Sequence, residues 1–502
     1  MRSCRERGLI GHFSPFGAIH LHKSRTRSGI IITLSNAAMM LVGCQSYQSK
    51  PLDLASHRDA WRARTPGDEP VRAFANRLAG TGQPTAFDPA DGLSLAEGEL
   101  VALVFNPDLR IARLRAGVGA ATAEYAGLWS DPQLTVDFLK VTEIASNPFL
   151  ITPGLAFTIP ISGRLDAETQ RADASLDAQF TRVAEMEWAV RIEVRREWLR
   201  WSAARLRTER TEGLLSSIES LVSSTTRLAE AGEMARTEAA LFTIERASKI
   251  QALIGYRGDA AEAEQRLRSL LGLAPEAPLE LVPTLVVAEG FVEMSVDFEA
   301  DRNLTLARLR DEYVVAEKTL YREIREQYPD LTIGPLAELD LGQTLLGFSL
   351  SLPIPILNAN KQGIAEANAE RELAYAAYET EYERLSGTLA STRVRADTIR
   401  EQRRFIESTL APLVDRQIGD AYRLLELGEG GGLVLLESQA RVGQTQIQLI
   451  EARLAESLAL ADLAEILGPP TTADLSRTGI EDQENNTALP ASAGEQPDEV
   501  KP

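Results

Sequence analysis

Apolar positions along the chain follow two different periods. In Thr344–Pro353, Leu346, Phe348, Leu350 and Leu352 alternate with Gly347, Ser349 and Ser351. Leu155, Phe157, Ile159 and Ile161 alternate with Ala156, Thr158 and Pro160, and Leu134, Val136 and Phe138 with Thr135 and Asp137. Period two predicts strands with one apolar face. An ordinary small antiparallel sheet and a barrel wall, apolar toward lipid and polar toward a wet lumen, both show this pattern. Elsewhere the spacing is three and four, as in Leu176, Phe180, Val183, Val190, Val194, Trp198 and Trp201, and again in Tyr378, Tyr382, Leu385 and Leu389. That spacing predicts helices packed along seams. The stretch from Arg164 to about Ala231 has no Pro and one Gly, Gly213; that from Gly363 to about Leu427 has one Pro, Pro412. Helices of such length reach roughly 100 Å at 1.5 Å per residue, far beyond the ordinary globular helix of about 11–12 residues.

The pattern occurs twice. Ile111–Arg115 recurs as Leu306–Arg310, Asp131–Leu134 as Tyr328–Leu331, and Thr158–Ile161 as Ser351–Ile354. Glu230–Glu233 recurs as Glu426–Glu429, and Leu270–Gly272 as Ile466–Gly468. The five matches keep their order at offsets of 193 to 197 residues, too long for a solenoid repeat. Each copy predicts a helical stretch (Ser94–Trp129, then Asn303–Gln327), ended by Pro132 or Pro329. Two strands follow, then a very long helix, a Gly-marked reversal and a return helix ending at Leu-Gly.

Composition removes most chemistry. Of four His and two Cys, all but His57 lie within the first 44 residues. Beyond residue 57 there is no His-based triad, Cys nucleophile, zinc motif or redox pair, so no catalytic, cofactor or metal residues are assigned. A carboxylate enzyme such as a glycoside hydrolase needs paired acids in a concave site, and no pair stands out from helix-surface charge. A formal charge of −19 argues against nucleic acid as a partner.

Lys23, Arg25 and Arg27 precede an apolar stretch from Gly29 to Gly43 that ends in Leu41-Val42-Gly43-Cys44. Fifteen residues are too few to cross a bilayer comfortably. The segment resembles the lipobox of bacterial lipoproteins. The resemblance implies a signal peptide over 1–43 and a lipidated, palmitate-bearing Cys44. Gln45, rather than Asp, favours sorting to the outer membrane. Removing 1–43 takes away six bases and one acid, which lowers the charge to −24. Residues 44–93 read as a linker from the lipid anchor. The two repeats span 94–285 and 286–470. Residues 471–502, with seven acids and two bases, read as a disordered tail.

Together, the duplication, the helix lengths and the junction Leu350-Ser-Leu-Pro-Ile-Pro-Ile-Leu-Asn-Ala-Asn-Lys-Gln-Gly363 resemble the TolC-like outer-membrane factors, or outer membrane efflux proteins. The resemblance covers about residues 94–470. It implies a membrane α+β homotrimer, in which four strands per chain form a twelve-stranded outer-membrane β-barrel continued by a long α-helical periplasmic barrel. It also implies a passive duct, not an enzyme, in a tripartite efflux system. Its partners would be two further copies of itself, a periplasmic adaptor, an inner-membrane pump and outer-membrane lipid. Pro353, Pro355, Asn358 and Gly363 mark the strand-to-helix junction, and their pattern leans toward the cobalt–zinc–cadmium branch.

The reversals Arg227–Glu233 and Arg423–Glu429 would be the periplasmic tips. Arg227, Gly232, Glu233, Arg423, Gly428 and Glu429 are the adaptor-contact positions, although Ala229 and Leu425 replace the family's usual aromatic residue. Glu230, Glu233, Glu426 and Glu429 are candidate pore-entrance carboxylates, ring-forming under threefold symmetry. Each Gly also reads simply as a helix C-cap. The alternative for the whole chain is a lipid-anchored periplasmic coiled-coil scaffold without a pore.

Overall fold

The computed structural model describes residues 47–79, 87–140, 142, 149–285, 300–340, 343–427 and 432–470. The segment read as a signal peptide, Cys44, Gly428, Glu429, the expected boundary between the repeats near residue 286 and the stretch after 470 lie outside the described residues.

The chain divides into two units, Met1–His57 and Arg58–Pro502. In the first, residues 47–53 have no regular structure, and helix α1 (Leu54–Arg62) then begins. The Asp53 carboxylate caps that helix by accepting from the Ser56 N–H at 3.0 Å. In the second unit α2 (Glu69–Ala79), α3 (Leu95–Phe105) and α4 (Pro107–Glu124) lead to β1 (Gln133–Lys140) and β2 (Phe149–Ile159). Helix α5 (Arg164–Ala231) runs for 68 residues, and α6 (Arg236–Leu270) returns along it. The second repeat begins with α7 (Leu304–Glu326), β3 (Leu331–Asp340) and β4 (Gln343–Ser351). It continues through α8 (Lys361–Phe405), a π-turn (Ile406–Leu410) and α9 (Ala411–Glu426), and closes with α10 (Gly432–Leu467). No helix among the described residues is long and apolar enough to cross a membrane.

Helix α5 extends uninterrupted because its one Gly is tolerated and it contains no Pro. Its counterpart is interrupted just before Pro412. Proline has no N–H and its ring presses on the carbonyl four residues earlier, and a π-turn relieves both constraints. The first helical stretch also differs from expectation. Ser94–Trp129 is two helices, split at Asn106, and the second ends at Glu124, well before Pro132. Pro107 disfavours helical backbone at Asn106, which sits at φ −56, ψ 128.

Helix α5 packs against α3, α4, α6, α7 and α10, while α8 packs against α7 and α10, and α9 against α10. The main core surrounds Trp198 and Trp201 of α5, whose rings meet edge to face at 6.1 Å. Val71 and Leu93 close that core, so the stretch read as a linker contributes packed structure. A smaller core joins Leu306, Leu385, Leu389, Ile466 and Leu467 in the second repeat. Among the seam residues, Val194 and Leu389 lie inside these cores, whereas Phe180 and Tyr382 nearer the sheet are exposed.

The two repeats share a clasp. Asn106 Nδ2 donates to the Leu270 carbonyl at 2.9 Å, while its Oδ1 accepts from the N–H groups of Asp108 and Leu109. Asn303 Nδ2 donates to the Ile466 carbonyl at 2.7 Å, and its Oδ1 accepts from the Leu306 N–H. One residue thus caps the start of one helix and the end of another. Beside each clasp a glycine turns the chain at positive φ, Gly272 at +68° and Gly468 at +82°.

A buried ion cluster locks α3 onto α5. Glu99 accepts from Arg191 Nε at 2.7 Å and from the buried Arg195. Both guanidinium groups lie over the Trp188 ring. Glu99→Ala removes the counter-charge of a buried arginine and is expected to cost about 3–5 kcal/mol. Denaturant unfolding of the purified protein measures it; a loss below that of an exposed pair such as Arg58–Asp59 would show that Glu99 is not needed there.

Candidate functional site

The four strands form one antiparallel sheet in the order β1-β2-β3-β4. Its register aligns the alternating residues of both repeats. Leu134, Val136 and Phe138 lie opposite Leu155, Pro153 and Ile151. Phe157 lies opposite Ile333. Ile333, Pro335 and Ala337 lie opposite Leu350, Phe348 and Leu346. Because side chains alternate along every strand, one face of the sheet is apolar, save for Lys140 and Thr344 at the end away from the long helices. The other carries Thr135, Asp137, Thr152, Thr158, Thr332, Glu338, Ser349 and Ser351, with Leu139, Leu150, Leu336 and Leu345 among them. Thr158 and Thr332 bridge the repeats through their hydroxyls at 3.3 Å. Phe138, Leu346, Phe348 and Leu350 are exposed on the apolar face. Strands β1 and β4 are the sheet's two edges, each paired on one side only.

Each pair of strands joins its long helix through a braced junction. In the first, Ser162 is buried, and Arg164 Nε donates to Asp330 Oδ2 at 2.7 Å. In the second, Pro353 and Pro355 follow β4, and the Asn358 carbonyl accepts from the Lys361 N–H at 3.1 Å. Gly363 lies against Asn360 and Glu323, where a Cβ would come within 2.5 Å of Glu323 Oε2. Asn360 is the residue missed in the sequence: it sits at φ +50° and its Nδ2 donates to the Glu323 backbone carbonyl at 3.0 Å and to its side chain at 2.7 Å. Its signal was the residue type, since Asn is among the few side chains that tolerate this backbone region. Near these junctions, hydrogen bonds from Arg171 hold the Glu168 carboxyl below the usual carboxylate range, against the opposing effect of burial.

At the first reversal Gly232 adopts φ +80° and the Glu233 N–H donates to the Leu228 carbonyl at 2.9 Å, a Schellman ending. Glu230 in the last turn of α5, Glu233 just past Gly232, and Arg227 are all exposed. At the second reversal Arg423 is exposed, 3.5 Å from Asp420, and Glu426 is the last residue of α9. The Glu426 side chain and the whole of Glu429 lie outside the described residues. The two reversals meet where Gly432 starts α10: a Cβ there would lie 3.2 Å from Met234 Cε and 3.5 Å from Phe242.

This architecture has close counterparts. A crystal structure of CusC, concerned with conformational changes accompanying folding and transmembrane channel formation, superposes with a TM-score of 0.64. The match covers 77% of this chain and 96% of that one at 15% identity. The outer membrane protein VceC from Vibrio cholerae matches with a TM-score of 0.61 at 16% identity, over 74% of this chain and 96% of that one. The open state of the Neisseria gonorrhoeae outer membrane channel MtrE matches at 0.58 and 14% identity, over 77% and 93%. The fold is that of outer-membrane efflux channels. Residues 101–273, which hold most of the first repeat of this channel fold, also match the model of the outer membrane efflux protein family. No curated protein matches the sequence.

Proposed function

We propose that the chain is the outer-membrane channel component of a tripartite efflux system, an outer membrane efflux protein of lipoprotein type. Three copies close a twelve-stranded barrel through their β1 and β4 edges, and the long helices continue it as a periplasmic tunnel. One observation carries this reading: the register gives both repeats a single apolar face on a sheet with two unsatisfied edges. In lipid, such a sheet is stable only when its edges are closed. Conduction is passive, through a water-filled lumen, and moves small molecules or metal cations from the periplasm to the outside. The pattern around Pro353, Pro355, Asn358 and Gly363 supports the cobalt–zinc–cadmium branch. Cys44 carries the lipid anchor, and the exposed reversals near Arg227, Gly232, Glu233 and Arg423 offer the surface for a periplasmic adaptor that links the duct to the inner-membrane pump. Gly428 and Glu429 complete that surface in the second repeat.

The test is electron microscopy of the purified protein with conductance of reconstituted bilayers. A hollow trimer that conducts is expected; a monomer without conductance overturns the reading in favour of the pore-free scaffold. The tip carboxylates make a second prediction. Glu230→Gln with Glu233→Gln lowers cation over anion selectivity, because three copies of each acid sit near one axis. Reversal potentials in a salt gradient measure it, and an unchanged potential rejects the ring.

A further inference from the structure

Between β4 and α8 the chain runs through Leu352-Pro-Ile-Pro-Ile-Leu357, and this segment is exposed without being polar. Ile354 is 75% exposed, Ile356 80% and Leu357 89%. We propose that it is a lipid-inserting hook, seated among the phospholipid headgroups and upper acyl chains of the periplasmic-side leaflet. The proposal rests on the channel reading above.

Three observations point to lipid. The first is place. Trp129 precedes β1, Tyr328 precedes β3, and the hook follows β4, so antiparallel order puts all of them at one end of the sheet. Trp129 and Tyr328 are both exposed. The apolar sheet face therefore continues directly into the hook, beside two amphipathic aromatics of the kind that settle at a membrane interface. The second is the backbone. A segment entering lipid must dispose of its N–H groups. Pro353 and Pro355 have none, and the Ile356 N–H donates to the Ile354 carbonyl at 2.9 Å. The third is charge. Lys361 is exposed in the first turn of α8, the end of a helix that favours anions. Arg164, at the equivalent start of α5, is paired with Asp330. Lys361 has no ion-pair partner among the described residues, and a phosphate headgroup would supply one.

Depth-resolved fluorescence quenching of the full-length protein tests the hook. The protein is reconstituted in phosphatidylethanolamine–phosphatidylglycerol vesicles containing phosphatidylcholine brominated either near the headgroup or near the chain end. Ile356→Trp and, separately, Leu346→Trp are placed in a Trp129→Phe background, where the remaining tryptophans lie among the helices. The Ile356→Trp probe is expected to be quenched strongly by the shallow bromines and weakly by the deep ones. The Leu346→Trp probe reports the sheet face. If it is quenched and Ile356→Trp is not, the barrel stands and the hook is covered by protein, for instance a second copy of this chain, which overturns the proposal. If neither is quenched, the channel reading itself falls.

Discussion

Lysine in place of Phe348 is expected to destabilise the membrane-inserted protein by about 2–4 kcal/mol per chain, the cost of a cation near the bilayer midplane on a barrel's lipid face. Ser349→Lys, one residue along, is expected to cost close to nothing. Phe348 lies near the centre of β4, opposite Pro335, on the face shared by Leu346 and Leu350. Ser349 lies opposite Gly334 on the other face. If three chains close one barrel, the penalty is met three times, on the order of 6–12 kcal/mol for the assembly. The readouts are trimer survival on heating and denaturant unfolding in bilayers. A larger loss for Ser349→Lys would invert the assignment of the faces. Equal, negligible losses would mean that the sheet sits in water and would remove the argument for a barrel.

The period-two segments were legible because alternation survives in the sequence whether the apolar face meets a core or lipid. For the same reason alternation could not choose between the two. The choice needed register, a property of pairs of strands: only when Phe157 lies opposite Ile333 do the two repeats present one continuous face. The long helix α5 was legible end to end because Gly163 and Gly232 bound a stretch without Pro. Asn106 was passed over because the apolar spacing continues across it. What breaks the helix is a local effect of Pro107, and what fixes Asn106 is a carbonyl 164 residues away. Long-range caps of this kind leave no periodic trace. Their sequence signal is the duplication itself, since Asn106 and Asn303 each stand a few residues before a matched Ala-Arg-Leu-Arg run. The tip positions were legible as helix ends. The mutual placement of their carboxylates was not, because in the proposed trimer it depends on symmetry mates and not on spacing along one chain.

The clasps make the other large prediction. Gly272→Ala and Gly468→Ala are each expected to destabilise the fold by about 3–5 kcal/mol, combining a left-handed backbone penalty with steric overlap. A Cβ on Gly272 would lie 2.1 Å from the Phe105 carbonyl oxygen, and one on Gly468 would lie 2.2 Å from that of Arg302. Both obstacles are backbone atoms next to the capping asparagines, so neither can move without pulling Asn106 or Asn303 away from its partners. Gly232→Ala separates the two contributions. It shares the positive φ, but nothing lies within 4 Å of the added Cβ, so about 1–2 kcal/mol is expected. Gly213→Ala completes the series: inside α5, with open space around the new methyl, it should stabilise by about 0.5–1 kcal/mol. Denaturant midpoints of the four variants rank them directly. Were Gly272→Ala no worse than Gly232→Ala, the close approach of Phe105 would carry no energetic weight, and the clasp would not be what holds the ends of each repeat together.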